Sequence, residues 1–304
     1  MLVNASNLAA IQLNIKTTFN KAFQTTESTW SKVAMLVPST GALNDYDWLE
    51  NFPAMKEWIG DKEIKNFVGN NYVVANKDFE VTVAIKRKNI EDDNVGLYAN
   101  WAEGAGWSAK QHPDELVYGA VNNAFIGKCY DGQPFYGNHK VGKLTVSNKL
   151  TIAFSVASSK QAKACFGAAR IMLEKMKDQD GRPLRCKATT LLVGPDLRDD
   201  AEYLRDAEFL RNGDANPYRG AFELVVEPLI TSSTFWAVLD TSKPVKPFIY
   251  QQRKAAVIVA QTDPQSDSVF TRGEFLMGAE SRGNAAYGFW QLSVGSNGTT
   301  ANNP

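Results

Sequence analysis

The chain is poor in the residues that catalysis and secretion draw on. Among its 304 residues there are two histidines, His112 and His139, and three cysteines, Cys129, Cys165 and Cys186. An odd cysteine count without repeated spacing is not a disulfide framework, and it fits a reducing compartment. No CxxC or HxxxH spacing gathers the four converging ligands of a structural zinc site, so neither a metal nor another cofactor is expected. No run reaches the roughly 18 apolar residues of a membrane span. Asn4, Ser6 and Asn7 stand where a signal peptide needs apolar residues. Excess charge is missing too: Lys plus Arg is 33 and Asp plus Glu is 33. Zero net charge argues against a surface that grips nucleic acid everywhere. There is no internal repeat and no low-complexity linker.

What remains is an ordinary core-forming composition, 44% apolar and 22% charged. Leu8, Ile11, Ile15, Phe19 and Phe23 recur at three- and four-residue steps, the stripe of an amphipathic helix. Ser6 or Asn7 would cap it, and its apolar face needs a surface to lie on. Lys32 to Val37 reads as a short strand. Phe79, Val81, Val83 and Ile85 alternate with Glu80, Thr82, Ala84 and Lys86, a strand with one wet face. Ile64, Phe67, Tyr72 and Val74 suggest its partner in an extended polar hairpin. A two-stranded ribbon is marginal alone, so a partner surface is expected. Glu91, Asp92 and Asp93 would open a long helix to about 126, interrupted by Gly104, Gly106 and Pro113. Two further helices are expected at 158–177 and 195–209. Strands are expected at 150–156, 189–193, 221–230, 236–239, 248–251, 254–260, 274–278 and 285–292. The Gly-, Asn- and Thr-rich tail at 296–304 reads as disordered. Helices and strands mix without regular alternation, which makes the fold class α+β.

Motifs for chemistry are weak. Gly137 to Lys143 satisfies the phosphate-loop pattern, but Leu144 stands where Ser or Thr would hold magnesium. Pro134 interrupts any preceding strand, and no helix pattern follows. Cys129 with His139 as base and Asp131 as orienter would make a nucleophile pair, yet no family signature surrounds them. Asp196, Asp199, Asp200 and Glu202 beside Arg198 and Arg205 read as a solvated helix face. The seven Trp residues are spread out and fit core or interface positions. The catalytic, cofactor-binding and metal categories therefore stay empty, and no enzyme is expected.

A resemblance enters at Trp48-Leu49, Phe52-Pro53 and Lys56-Glu57-Trp58-Ile59-Gly60. It continues through Ala75-Asn76-Lys77, Phe79-Glu80, Glu91-Asp92-Asp93-Asn94 and His112-Pro113-Asp114-Glu115-Leu116. It ends with Cys129-Tyr130-Asp131-Gly132-Gln133, Phe135-Tyr136, Lys246-Pro247-Phe248 and Arg282-Gly283-Asn284-Ala285. In this order and spacing they resemble the Mu-like prophage major head subunit family, from about residue 30 to 292.

That resemblance implies the tailed-phage (HK97-like) major capsid fold. Its parts would be an N-terminal arm at 1–45 and an extended loop at 58–90. The peripheral domain would take 46–57, 91–144 and 241–295, with its spine helix at 91–126. The axial domain would take 145–240. The implied function is a major capsid protein whose pentamers and hexamers tile an icosahedral shell around double-stranded DNA. Implied partners are other copies of the chain, the portal, scaffold and protease of head assembly, and packaged DNA without sequence-specific binding. No membrane is involved. The implied place is the virion capsid, assembled in the bacterial host cytoplasm. Any scaffold is expected to be a separate protein. Expected inter-subunit contacts are Phe67, Tyr72, Phe79 and Val81 on the loop, and Leu8, Ile11 and Ile15 on the arm. Lys62, Lys65 and Lys77 are crosslink candidates by location only. The alternatives are an encapsulin-like cellular nanocompartment shell protein or another structural virion protein. An enzyme would reveal itself by losing activity on changing Cys129 or His139.

Overall fold

A computed structural model describes residues 3–46, 49, 72–92, 96–142, 144–263 and 265–302. Trp48, Phe52, Trp58, Lys62, Ile64, Lys65, Phe67, Asp93 and Lys143 lie outside the described residues.

The chain opens with α1 (Ala5–Thr25) and α2 (Trp30–Val33), then β1 (Ala34–Pro38) and β2 (Leu43–Asp45). Next come β3 (Val73–Ala75), β4 (Lys77–Lys86), α3 (Arg87–Glu91) and the long α4 (Leu97–Asn122). β5 (Asn138–Val141), β6 (Leu144–Ser147) and β7 (Lys149–Ile152) follow. A helical stretch comprises α5 (Ser159–Ala162), a π-helical turn (Lys163–Gly167) and α6 (Ala168–Glu174). Then come β8 (Thr190–Val193), α7 (Arg198–Asp206), β9 (Glu223–Val226) and β10 (Trp236–Leu239). The last elements are β11 (Phe248–Gln261), α8 (Asp267–Arg272), β12 (Glu274–Tyr287) and β13 (Ser293–Thr300).

Two sheets organise these parts. One runs β1-β11-β12-β4 and the other β7-β13-β10-β8-β9. In the second, β8 and β10 are buried along their whole length, so both faces must be covered. α6 packs on β10 and β13, and α7 on β8 and β9. Trp236 is fully buried there and donates its indole N–H to the Ile152 carbonyl at 3.0 Å. In the first sheet, α4 lies across β11 and β12, and α1 lies on α4. No helix among the described residues is long and apolar enough to cross a membrane.

The α1 stripe turns inward. Leu8, Ile11 and Ile15 share a cluster with Ile85, Tyr98, Ala102, Phe275 and Met277. Burying each such side chain contributes roughly 1.5–3 kcal/mol. The cap is Asn4, whose side chain accepts the Asn7 N–H at 2.9 Å; Ser6 and Asn7 already lie inside the helix. The α4 glycines do not split their helix. α4 is continuous over 26 residues with Pro113 inside it. At Gly106 a Cβ would stand 2.4 Å from the Phe19 carbonyl oxygen, so its absence lets α1 approach.

Four expectations need correction. β4 forms no hairpin with the segment around Val74. It pairs with β12, while β3 pairs with β2. Alternation identifies a strand and its faces but carries nothing about its partner. The acidic run does not open the long helix: Glu91 ends α3, pairing with Arg87 at 3.0 Å, and α4 begins at 97. The strands expected at 248–251 and 254–260 are one strand with bulges, and the one expected at 274–278 continues as β12 to Tyr287, while Trp290–Leu292, expected as strand, form a 3-10 turn. The tail is not disordered through 300. β13 pairs with both β10 and β7, and Ser293 and Ser296 are fully buried. Small residues make this possible. A Cβ at Gly295 would lie 2.6 Å from the Tyr136 ring. A composition that reads as coil is here the space that a neighbouring aromatic ring fills.

Candidate functional site

The arm contacts expected of Leu8, Ile11 and Ile15 are not presented outward. All three are at most 7% exposed, against the chain's own α4 and first sheet. Periodicity showed an apolar face but not which surface covers it. On the opposite side of α1, Leu13 is exposed, as is Trp107 on α4.

The loop residues divide. Tyr72 is half-buried; its hydroxyl accepts the Tyr287 N–H at 3.0 Å and its ring packs on Tyr46. Burial holds its phenol above the usual range, despite that hydrogen bond. Tyr72 is thus a joint within the chain. Phe79 is half-buried, edge-on to His112 with ring centroids 4.1 Å apart. Val81, on the same face, is exposed.

Sequence reasoning missed the most prominent apolar group. β11 and β12 form an antiparallel ribbon whose end is closed by α8, and there Phe270 is 88% exposed. Strands of 14 residues span roughly 45 Å. The available signal was a lone Phe in a polar connection, Ser266-Asp267-Ser268-Val269-Phe270-Thr271-Arg272-Gly273.

A second missed role belongs to Asp114. It is buried, and Oδ1 accepts the N–H groups of Trp30 and Thr29 at 2.6 and 2.9 Å and the Ser28 hydroxyl at 3.1 Å. The Thr29 hydroxyl donates to Glu227, which is also buried. A carboxylate on α4 therefore fixes the start of α2, where the arm meets the first sheet.

The structure does bring Cys129, Asp131 and His139 together. They do not form a nucleophile pair. The Cys129 thiol donates to Asp131 Oδ1 at 3.1 Å, and His139 Nδ1 faces Asp131 Oδ2 at 2.6 Å. Burial, then the Asp131 charge, pushes the thiol well up, away from thiolate. Burial also opposes ionisation of Asp131. The hydrogen bonds with His139, Cys129 and the Gln133 N–H outweigh it and hold that carboxyl below its usual range. The phosphate-loop lookalike folds as the β5–β6 hairpin, with Asn138 paired to Ser147. No helix follows to present N–H groups to a phosphate.

Comparison with known proteins now decides the family. The sequence pattern described as Mu-like prophage major head subunit gpT matches residues 8–162, 150–230 and 231–303. The chain belongs to that family. It is 29% identical to the major capsid protein of Escherichia phage Mu over 294 residues, covering 97% of this chain and 74% of that one. It is 30% identical to the Mu-like prophage FluMu major head subunit of Haemophilus influenzae, covering 88% of this chain and 65% of that one. Among solved structures, the procapsid protein of bacteriophage JBD30 superposes with a TM-score of 0.62 at 28% identity, covering 97% of this chain and 76% of that one. The virus-like particle of Pyrococcus furiosus superposes with a TM-score of 0.54 at 10% identity, covering 93% of this chain and 98% of that one. That likeness is one of fold. The capsid fold expected from the sequence is therefore the fold present, and its class is α+β.

Proposed function

We propose that this major capsid protein assembles as pentamers and hexamers into an icosahedral shell around double-stranded DNA. The observation that carries the reading beyond family membership is Phe270. An apolar side chain held 88% exposed at the end of the β11–β12 ribbon has no cover among the described residues. A neighbouring copy supplies one. In this reading the ribbon and α4 belong to a peripheral part and the five-stranded sheet to an axial part. β4 belongs to the peripheral sheet and β13 to the axial one. Inter-subunit contacts are assigned to Phe270, Val81, the open edge of Phe79, Leu13 and Trp107. Each added subunit then makes several weak contacts at once, and closure is cooperative.

Partners in this reading are the portal, scaffold and protease of head assembly. Zero net charge suits a wall that holds DNA without binding it tightly. Assembly takes place in the bacterial host cytoplasm, and the shell has no catalytic activity. Sedimentation velocity of the expressed chain tests this. Discrete rings or closed particles are expected. A monomer at every concentration, even with neighbouring head proteins co-expressed, would contradict it.

A further inference from the structure

His139 is held from both sides of its ring. Its Nε2 lies 3.2 Å from the Phe135 carbonyl oxygen, which can only accept, so Nε2 carries a hydrogen. On the other side of the ring, Nδ1 lies 2.6 Å from Asp131 Oδ2. The Cys129 sulfur points at the same carboxylate from another side.

We infer that Cys129, Asp131 and His139 bind a zinc-class divalent metal ion. Sγ, a carboxylate oxygen and Nδ1 all lie within 4.8 Å of one another. Ligands about 2.0–2.3 Å from one ion need only a small shift from here. The supports are built in. His139 is held by the Phe135 carbonyl on its far nitrogen, the usual way a protein orients a ligating imidazole. Its ring also lies flat on Trp290, with centroids 4.0 Å apart and planes 7° apart. Asp131 is fixed by the Gln133 N–H at 3.0 Å.

The mixture of sulfur, nitrogen and oxygen selects zinc and its soft neighbours over magnesium or calcium, which take oxygen ligands. Three protein ligands leave a fourth position for water. The access is through Asp131, whose side chain is 19% exposed while that of His139 is fully buried. Binding needs no oxidant or reductant. The ion replaces the thiol hydrogen, and that proton leaves to solvent. The thiol that burial keeps protonated becomes a thiolate because the ion supplies the opposing charge. The site would pin the 129–139 segment to Trp290 in the short turn between β12 and β13, and it stands whether or not the chain forms a shell. Sequence spacing concealed it because Cys-x-Asp with a distant His matches no paired-ligand motif.

The test is a cobalt titration of the metal-stripped full-length protein, with zinc content of the untreated protein measured beside it. The expected result is one ion per chain and a thiolate-to-cobalt charge-transfer band in the near ultraviolet. Cys129→Ser should abolish that band. His139→Asn should weaken zinc binding by at least about tenfold, with circular dichroism confirming that both variants fold. The wild-type titration decides the matter even if a variant does not fold. No band and no retained metal would overturn the assignment. So would metal binding that Cys129→Ser leaves unchanged, which marks an unrelated surface site.

Discussion

The Asp114 carboxylate accepts the backbone N–H of Trp30 at 2.6 Å, linking residues 84 positions apart in sequence. With Thr29 and Ser28 on the same oxygen, it sets the angle at which the arm leaves the first sheet. Asp114→Ala would leave those donors unpaired in a buried place. The expected loss is roughly 2–3 kcal/mol of unfolding free energy, read by urea denaturation. Asp114→Asn, which keeps an acceptor, should lose less. Equal effects of the two would remove the clamp from the account.

Gly104 and Gly106 make a paired test two residues apart. A Cβ at Gly104 meets nothing within 4 Å, while one at Gly106 strikes the Phe19 carbonyl. Helix propensity alone favours alanine at both by about 1 kcal/mol. Thermal unfolding should therefore show Gly104→Ala neutral or stabilised and Gly106→Ala destabilised. The opposite order would mean that α1 does not sit against α4 as described.

Asp240 gives a pH dependence of known sign. It is fully buried, and burial opposes its ionisation. The Ser242 hydroxyl, the Lys187 N–H and the Lys243 ammonium at 3.0 Å outweigh that and hold its carboxyl below the usual range. A carboxyl lowered in the folded state binds fewer protons there than in the unfolded chain. Its stabilisation is thus full above the unfolded value, about 3.9, and is lost as pH falls through the folded one. Unfolding free energy measured down through that window should fall less steeply in Asp240→Asn. An unchanged slope would contradict this.

Much of the fold was legible because local pattern and burial agree. The α1 stripe, the β4 alternation and the apolar runs of β8 and β10 all lie where spacing put them. The misreadings share a cause: each depends on what lies opposite. β4 carries its faces in its sequence but not β12 as its partner. Leu8, Ile11 and Ile15 announce an apolar face without saying that α4 covers it. Ser293, Gly295 and Ser296 look like coil until the Tyr136 ring is placed beside them. The exposed apolar groups proposed as assembly contacts were the least legible. Phe270 shows in the sequence only as a lone Phe in a polar connection, and its exposure is settled by the fold around it.

Phe270 separates folding from assembly. At 88% exposure its change to Asp removes nothing from the core, so subunit stability should move by less than about 0.5 kcal/mol. Assembly should fail or slow markedly, because a charge replaces the apolar knob at the proposed subunit boundary. Light scattering reads the assembly and circular dichroism the fold. Normal particle yield from Phe270→Asp would remove this residue from the interface.

Electron microscopy of the purified, expressed protein tests the central claim most directly. The account predicts uniform hollow polyhedral shells, or discrete rings of five and six subunits. A well-folded monomer that never assembles, even with neighbouring head proteins present, would contradict it.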